Sequence, residues 1–143
     1  ASVSATVSRV CLAAGGFAGG IAVATGAFGA HGLKDLLEAT GQAANWETAS
    51  RYAAVHALAM VACGLAAGLP GAAAARRTLA TAGWCFGIGT LIFSGLLWAL
   101  ALTGLRRLGA IVPIGGGLLI AGWALLAVGG LRIGATSPPP DPH

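Results

Sequence analysis

The polar residues divide the chain into four long stretches without charged side chains. These stretches run from Val10 to Ala30, Tyr52 to Ala75, Thr78 to Leu105 and Leu108 to Leu131. Each is at least as long as the roughly 20 residues that a membrane-spanning helix needs. None alternates with the period of two that is typical of barrel strands, so each must satisfy its own backbone hydrogen bonds as a helix. The pattern predicts an all-α fold, a four-transmembrane-helix up-and-down bundle.

A short amphipathic segment separates the first two stretches. In HGLKDLLEATG, from His31 to Gly41, leucines occupy one side of a helix, and Lys34 and Glu38 lie four residues apart on the other. Such a pattern is typical of a short helix that lies at the membrane interface. We expect Gly41 to end it.

The ends of the spanning helices carry recognisable signals. Asn45 is a good N-cap for the second helix, and it precedes a tryptophan suited to the interface and an acid suited to the first turn. Pro70 predicts the end of that helix, and Gly104 the end of the third. In the fourth helix, Pro113 and the glycines at 115–117 are expected to weaken the first turns.

These limits predict one domain followed by a tail. The single transmembrane domain covers residues 1–134, with spans at about 10–30, 52–75, 78–103 and 108–131. Residues 135–143, ATSPPPDPH, are predicted to be an extended, proline-rich tail. The first span follows Arg9 but is longer than the apolar region of a secretory signal, so we expect it to be retained.

Composition and charge agree with a membrane protein. Apolar residues make up 57% of the chain and charged residues 8%, against about 25% charged in soluble domains. The net charge of +4 comes mostly from arginines near the ends of the spans, with no basic stripe that would indicate nucleic acid. We therefore predict a multi-pass protein of the inner (plasma) membrane, with the lipid bilayer as its environment. The balance of positive charge weakly favours cytoplasmic termini.

Several glycines recur at the spacing that lets helices approach closely. Small residues four positions apart allow a second backbone to pack against the first. The predicted helix-packing glycines are Gly15, Gly16, Gly19, Gly20, Gly83 and Gly87. Their partners are predicted to be helices of this chain, of other membrane subunits, or of a second copy.

Threading the chain back and forth brings most of its polar residues to one membrane face. His56 is then buried about 6 Å deeper than Tyr52, and an ionisable group at that depth raises a functional hypothesis. Two interpretations stay open: a neutral imidazole that joins helices by hydrogen bonds, or a group that handles protons, a ligand or a metal. The predicted polar cluster consists of His31, Glu47, Arg51, Tyr52, His56, Ser94, Pro113, Gly115 and Gly116.

Metal binding and catalysis have little support in the sequence. His56, Met60 and Cys63 share a helix face and offer donors that suit a soft ion such as Cu(I), but they extend over about 10 Å. The same spacing is typical of an ordinary buried face, so these three are weak candidates. We predict free thiols for the three cysteines, no cofactor, no metal, and no enzyme activity, since catalytic motifs are missing.

Four motifs resemble a known family. They are GAFGAHGL at 26–33, RYAAVHALAM at 51–60, FSGLLWALALTG at 93–104 and IVPIGGGLLIAGW at 111–123. Their order and spacing resemble the small four-helix integral membrane family typified by the bacterial proteins YgdD and YwdK, with mitochondrial relatives in animals. The resemblance implies an inner-membrane protein and marks most of the polar cluster as the family signature. It implies no function.

Three function hypotheses follow. Small-residue helix faces and the lack of catalytic motifs favour a non-catalytic accessory or interaction subunit of a membrane complex. An alternative is a small-solute, lipid or ion-handling membrane protein that uses the cluster around His56. A second alternative is soft-metal (copper) binding.

Overall fold

The computed structural model describes residues 3–135, with side chains from residue 5. It is built of helices, with no strand in the described part, so the predicted all-α class is confirmed. Four helices are long and apolar enough to span a membrane. The predicted proline-rich tail lies outside the described residues, apart from Ala135. The helices are α1 (Val3–Ala30), α2 (Lys34–Ala39), α3 (Ala43–Ala67), α4 (Arg76–Thr103) and α5 (Val112–Leu131), with 3-10 turns at Ala72–Ala74 and Arg106–Ala110.

The second spanning helix is displaced from its predicted limits of 52 and 75. It begins at Ala43, so Asn45 is inside the helix and donates its side-chain amide to Gln42 Oε1 at 2.8 Å. The predicted N-cap at Asn45 is therefore wrong. The uncharged stretch did not predict the start of this helix, because charged and aromatic residues at the membrane interface also belong to it. At the other end α3 stops at Ala67, ahead of Pro70.

The predicted interfacial helix is confirmed as α2, which ends just before Gly41. Gly41, Gly71 and Gly104 all have φ near +70° to +80°, a conformation that costs other residues energy. Gly41 reverses the chain between α2 and α3, and Gly104 ends α4 as predicted. Leu37 is the buried residue of α2, and it packs with Trp46 and Ala101.

The four spanning helices form a row in the order α1, α3, α4, α5. Each packs extensively on its neighbour in the row, whereas α1 meets α4 and α3 meets α5 at only a few positions. Two grooves result. The α1/α4 groove has α3 as its floor and is lined by residues such as Ala14, Met60 and Gly87. The α3/α5 groove has α4 as its floor and is lined by residues such as His56, Phe93 and Trp123.

Glycines set the closest approaches between neighbouring helices. A Cβ at Gly15 would lie 2.8 Å from Val61 Cγ2 on α3, and one at Gly83 would lie 2.7 Å from Cys11 Sγ on α1. Gly19 and Gly87 also face another helix, at longer distances. By contrast, a Cβ built at Gly16 or Gly20 would have no atom of another described helix within 4 Å. Adjacent positions on a helix are about 100° apart, so the doubled glycines cannot all face α3.

Helix α5 is continuous, contrary to the weakened start expected from its proline and glycines. Pro113 lies in the first turn, where its missing N–H has no intrahelical partner to lose. A Cβ at Gly115 would lie 2.6 Å from the backbone nitrogen of Phe93 and 2.9 Å from the carbonyl oxygen of Gly89. Gly115 therefore allows α5 to contact the backbone of α4, and none of the three glycines interrupts the helix.

Candidate functional site

His56 is the only histidine in the described helices that is buried, with 5% of its surface exposed. Its Nδ1 lies 2.6 Å from the carbonyl oxygen of Tyr52, one turn earlier. A carbonyl only accepts, so Nδ1 must carry the hydrogen, and Nε2 is then a free acceptor. Trp123 Nε1 on α5 donates to that Nε2 at 3.2 Å. The imidazole is thus neutral, with both nitrogens bonded.

An aromatic cluster surrounds this imidazole. The ring of Tyr52 stacks on Phe93, with 4.5 Å between centroids. Phe86 and Trp123 meet edge to face at 5.1 Å, and the His56 ring lies 5.7 Å from Phe86 and 6.0 Å from Trp123. Edge-to-face and offset pairs at these distances are favourable beyond the area they bury. The cluster joins α3, α4 and α5.

A second polar network lies on the opposite side of α3 and joins α1 to α4. Trp46 Nε1 donates to the carbonyl oxygen of Thr25 at 2.8 Å, and Trp98 Nε1 donates to Ser50 Oγ at 3.2 Å. Ser50 Oγ in turn lies 3.4 Å from Thr25 Oγ1. Gly29 leaves the space on α1 that the Trp46 ring occupies. Both tryptophans therefore have the acceptor that a buried indole N–H requires.

Two serines tie α3 directly to its neighbours. Ser94 is fully buried, and its hydroxyl donates to the carbonyl oxygen of Ala49 at 2.7 Å. Near the other membrane face, Ser8 Oγ donates to the carbonyl oxygen of Gly64 at 2.7 Å. Such bonds between helices stabilise membrane bundles by about 0.6 to 2 kcal/mol each.

We expect Ser94→Ala to destabilise the bundle by about 1 kcal/mol, because the variant loses the bond to Ala49 and nothing in the core replaces it. Thr81→Ala is the matched control, since the Thr81 hydroxyl is exposed and bonds only to its own helix at Arg77. The measurement is reversible unfolding in bicelles. Equal stabilities of the two variants would show that the bond between helices contributes nothing.

The remaining residues of the predicted cluster are near the membrane interface. Arg51 and Glu47 form an ion pair at 3.5 Å, and their side chains are 64% and 75% exposed. Arg51 lines the mouth of the α3/α5 groove with Tyr52. His31 is exposed in the turn after α1 and does not contribute to that groove, and Pro113 is exposed on α5. The structure therefore divides the predicted cluster between separate places, and a functional role for its members stays a prediction.

The three weak metal candidates have different surroundings. Met60 and Cys63 belong to the core formed around Cys11 and Phe86, whereas the nitrogens of His56 bond to Tyr52 and Trp123. Within residues 5–135 no three His, Cys, Asp or Glu side chains form a group suited to a metal ion. All three cysteines are free, two of them buried.

Sequence reasoning missed the partners of His56. Trp123 and Phe93 are not among the predicted site residues, and neither are Thr25 and Ser50 of the second network. A signal was present for Trp123, because its indole N–H must find an acceptor within an apolar helix. Nothing in the sequence identified Phe93, since stacking on Tyr52 depends on the order of the helices in the row.

Comparison with known proteins supports the resemblance. Residues 25–116 match the model of the family described as "Protein of unknown function (DUF423)". The chain belongs to this family. Over 88% of its length it is 39% identical to the UPF0382 inner membrane protein YgdD of Escherichia coli K12, covering 92% of that protein. Over 79% of its length it is 42% identical to a UPF0382 membrane protein of Staphylococcus saprophyticus, covering 89% of it.

Membership of the DUF423 family agrees with the four spanning helices. The chain is a multi-pass membrane protein, with four helices able to span a membrane, and its inner-membrane location agrees with the name of the inner membrane protein YgdD. The matched residues contain Arg51, His56 and Ser94 but not Trp123. No solved structure matches the chain.

Proposed function

We propose that this DUF423 protein is a non-catalytic accessory subunit that binds a transmembrane helix of another membrane protein in its α1/α4 groove. The proposal rests on one observation: the row of helices leaves uncovered a long groove in which small residues such as Ala14, Gly87 and Gly95 alternate with larger apolar ones. Lipid chains are as apolar as the groove, so its shape has to select the occupant.

The groove has the length and the surface that a helix requires. Two cavities of about 240 and 360 Å³ lie end to end and share Ala14, Met60, Gly87 and Leu91. Their α4 side extends from Gly83 to Trp98, roughly 22 Å at 1.5 Å per residue, most of the roughly 30 Å core of a bilayer. Small residues at intervals along this length, such as Ala14, Gly87 and Gly95, let a partner backbone approach closely between the larger side chains.

One polar group in the groove lacks a partner. The Thr90 hydroxyl oxygen is buried, and no hydrogen-bond partner for it is found among the described residues. A buried hydroxyl without a partner costs roughly 1 to 3 kcal/mol. Threonines that bond across to a neighbouring helix are common at helix contacts in membranes. Five residues further along α4, Gly95 has open space around it, so a partner backbone can reach this part of the groove.

The non-catalytic part of the proposal follows from how the buried polar groups are used. The imidazole of His56 and the hydroxyls of Ser50 and Ser94 are engaged in bonds between or along helices. A general base or nucleophile must be able to reach a substrate in the right geometry. The hydrogen bonds of these groups stabilise the fold instead.

Site-specific photo-crosslinking tests the proposal in the membrane. Leu91 lines both cavities of the groove and is 73% exposed, whereas Leu58, on α3 outside both grooves, is 71% exposed. We expect a photoreactive residue at position 91 to capture one membrane protein in high yield. The same residue at 58 should give only diffuse products.

A variant that fills the α1/α4 groove provides a second test of the proposal. Gly95→Leu places a side chain into the open space of the groove, and Gly117→Leu does the same on α5, where nothing lies within 4 Å. After purification in mild detergent, mass spectrometry should find the position-91 partner with the native chain and with Gly117→Leu, and several-fold less with Gly95→Leu. A chain that migrates alone, or only with itself, contradicts the proposal.

A further inference from the structure

The α3/α5 groove differs in character from the groove proposed for a helix. It has a volume of about 460 Å³, within the range of pockets that hold small molecules. Gly116 is the one small residue that lines it, whereas several glycines and alanines line the α1/α4 groove. The large side chains of Val55, Ile120 and Trp123 on its walls keep a second helix backbone at a distance. A flexible chain can lie between such side chains where a helix cannot.

The groove has one charged end and one apolar end. Arg51 and Tyr52 line its mouth near the membrane interface, and Trp123 and His56 lie deeper. From Arg51 to His56 the descent is about 7.5 Å along α3. His56 presents no free nitrogen to the groove because both are bonded. Below the mouth the surface is therefore effectively apolar.

Arg51 is the one charged side chain that lines this groove. Its membrane face has a slight excess of positive charge, from Lys34, Arg51, Arg106 and Arg107 against Asp35, Glu38 and Glu47. The one acid paired with Arg51 is Glu47, at a distance of 3.5 Å between two well-exposed side chains, and such pairs contribute little. Arg106 and Arg107 lie on the exposed turn that leads into α5, at the same membrane face. The remaining acids of that face, Asp35 and Glu38, are on α2, which packs against α1 and α3. An anion at the mouth of the groove therefore meets the Arg51 guanidinium.

We propose that the α3/α5 groove is a binding site for an anionic glycerophospholipid. The phosphate group is bound by Arg51, whose planar guanidinium suits phosphate oxygens, and one acyl chain lies in the groove against Phe93, Ile120 and Trp123. Tyr52 lies at the boundary between these parts, with a polar hydroxyl and an apolar ring. The site is separate from the α1/α4 groove, so it stands or falls independently of the proposed subunit function.

Native mass spectrometry of the detergent-purified chain tests this site. Phosphatidylglycerol and phosphatidylcholine are titrated separately, with inorganic phosphate as a third ligand. We expect one phosphatidylglycerol to be retained about tenfold more tightly than phosphatidylcholine, as for one charge-assisted contact. Inorganic phosphate should not be retained. Retention of phosphate alone, or equal retention of the two lipids, would overturn the proposal.

Two pairs of variants distinguish binding in the α3/α5 groove from non-specific lipid binding. Arg51→Gln removes the cation at the mouth, and Arg77→Gln removes an exposed arginine at the opposite membrane face. Gly116→Leu fills the groove, where a Cβ would sit 3.7 Å from the Phe93 ring, and Gly117→Leu points into open space. Arg51→Gln and Gly116→Leu should each weaken phosphatidylglycerol retention about tenfold, with unchanged helix content by circular dichroism.

The control variants decide the outcome. Arg77→Gln and Gly117→Leu should retain the lipid like the native chain. If all four variants retain it equally, the lipid lies elsewhere and the site is refuted. If Arg77→Gln weakens retention as much as Arg51→Gln, the effect is one of net charge, and the site is again refuted.

Discussion

Replacing Gly115 with leucine is expected to destabilise the bundle by about 3 kcal/mol, the upper end for overpacked sites. A side chain there meets the backbone of α4 at Phe93 and Gly89, and backbone cannot rotate away as a side chain can. Removing a glycine from a helix interior returns only about 1 kcal/mol of helix propensity, so the clash dominates. Reversible unfolding in bicelles measures the change.

Gly117→Leu is the control for this substitution. It makes the same chemical change two residues along α5, at a position with no described neighbour within 4 Å. It should be neutral or slightly stabilising. Equal stability of the two variants would mean that α4 and α5 are not in backbone contact, and the order of helices in the row would then be wrong.

Replacing His56 with alanine is expected to cost about 2 to 4 kcal/mol. The change leaves a cavity among Tyr52, Phe86 and Trp123 and removes the acceptor of the Trp123 indole N–H. The bond itself is tested by a double-mutant cycle with Trp123→Phe. We expect a coupling energy of about 1 kcal/mol, typical of bonds between membrane helices.

The result distinguishes the two interpretations of the buried imidazole. A folded His56→Ala protein with native stability, and no coupling to Trp123, would contradict the structural role and return the residue to the functional candidates. His31→Ala is the control, since that histidine is exposed in a turn and should change stability by less than about 0.5 kcal/mol.

Much of the fold was predictable because a bilayer restricts the choices. Uncharged length gave four helices, and the glycines at 41 and 104 end α2 and α4 as expected. The start of α3 was not predictable from charge, because Glu47 and Arg51 are helical residues at the interface. The glycines at 115–117 resemble a break in the sequence, whereas the helix is continuous there and Gly115 faces the backbone of α4.

The candidate sites were predictable only in part. Depth along a helix follows from residue count, so the burial of His56 could be anticipated. Which helices touch cannot be derived from depth, and the partner Trp123 and the stack of Tyr52 on Phe93 depend on that choice. For the same reason His31 and His56, which simple threading brings to one face, occupy different surroundings.

The row of helices bears on how the chain is made. Neighbours in the row are also consecutive spanning helices in the order of synthesis, so α3 can dock on α1, α4 on α3 and α5 on α4 as each enters the bilayer. Contacts that are local in sequence need little loop closure and form fast. Biogenesis can therefore proceed in the order of translation, with no early helix left waiting for a later one.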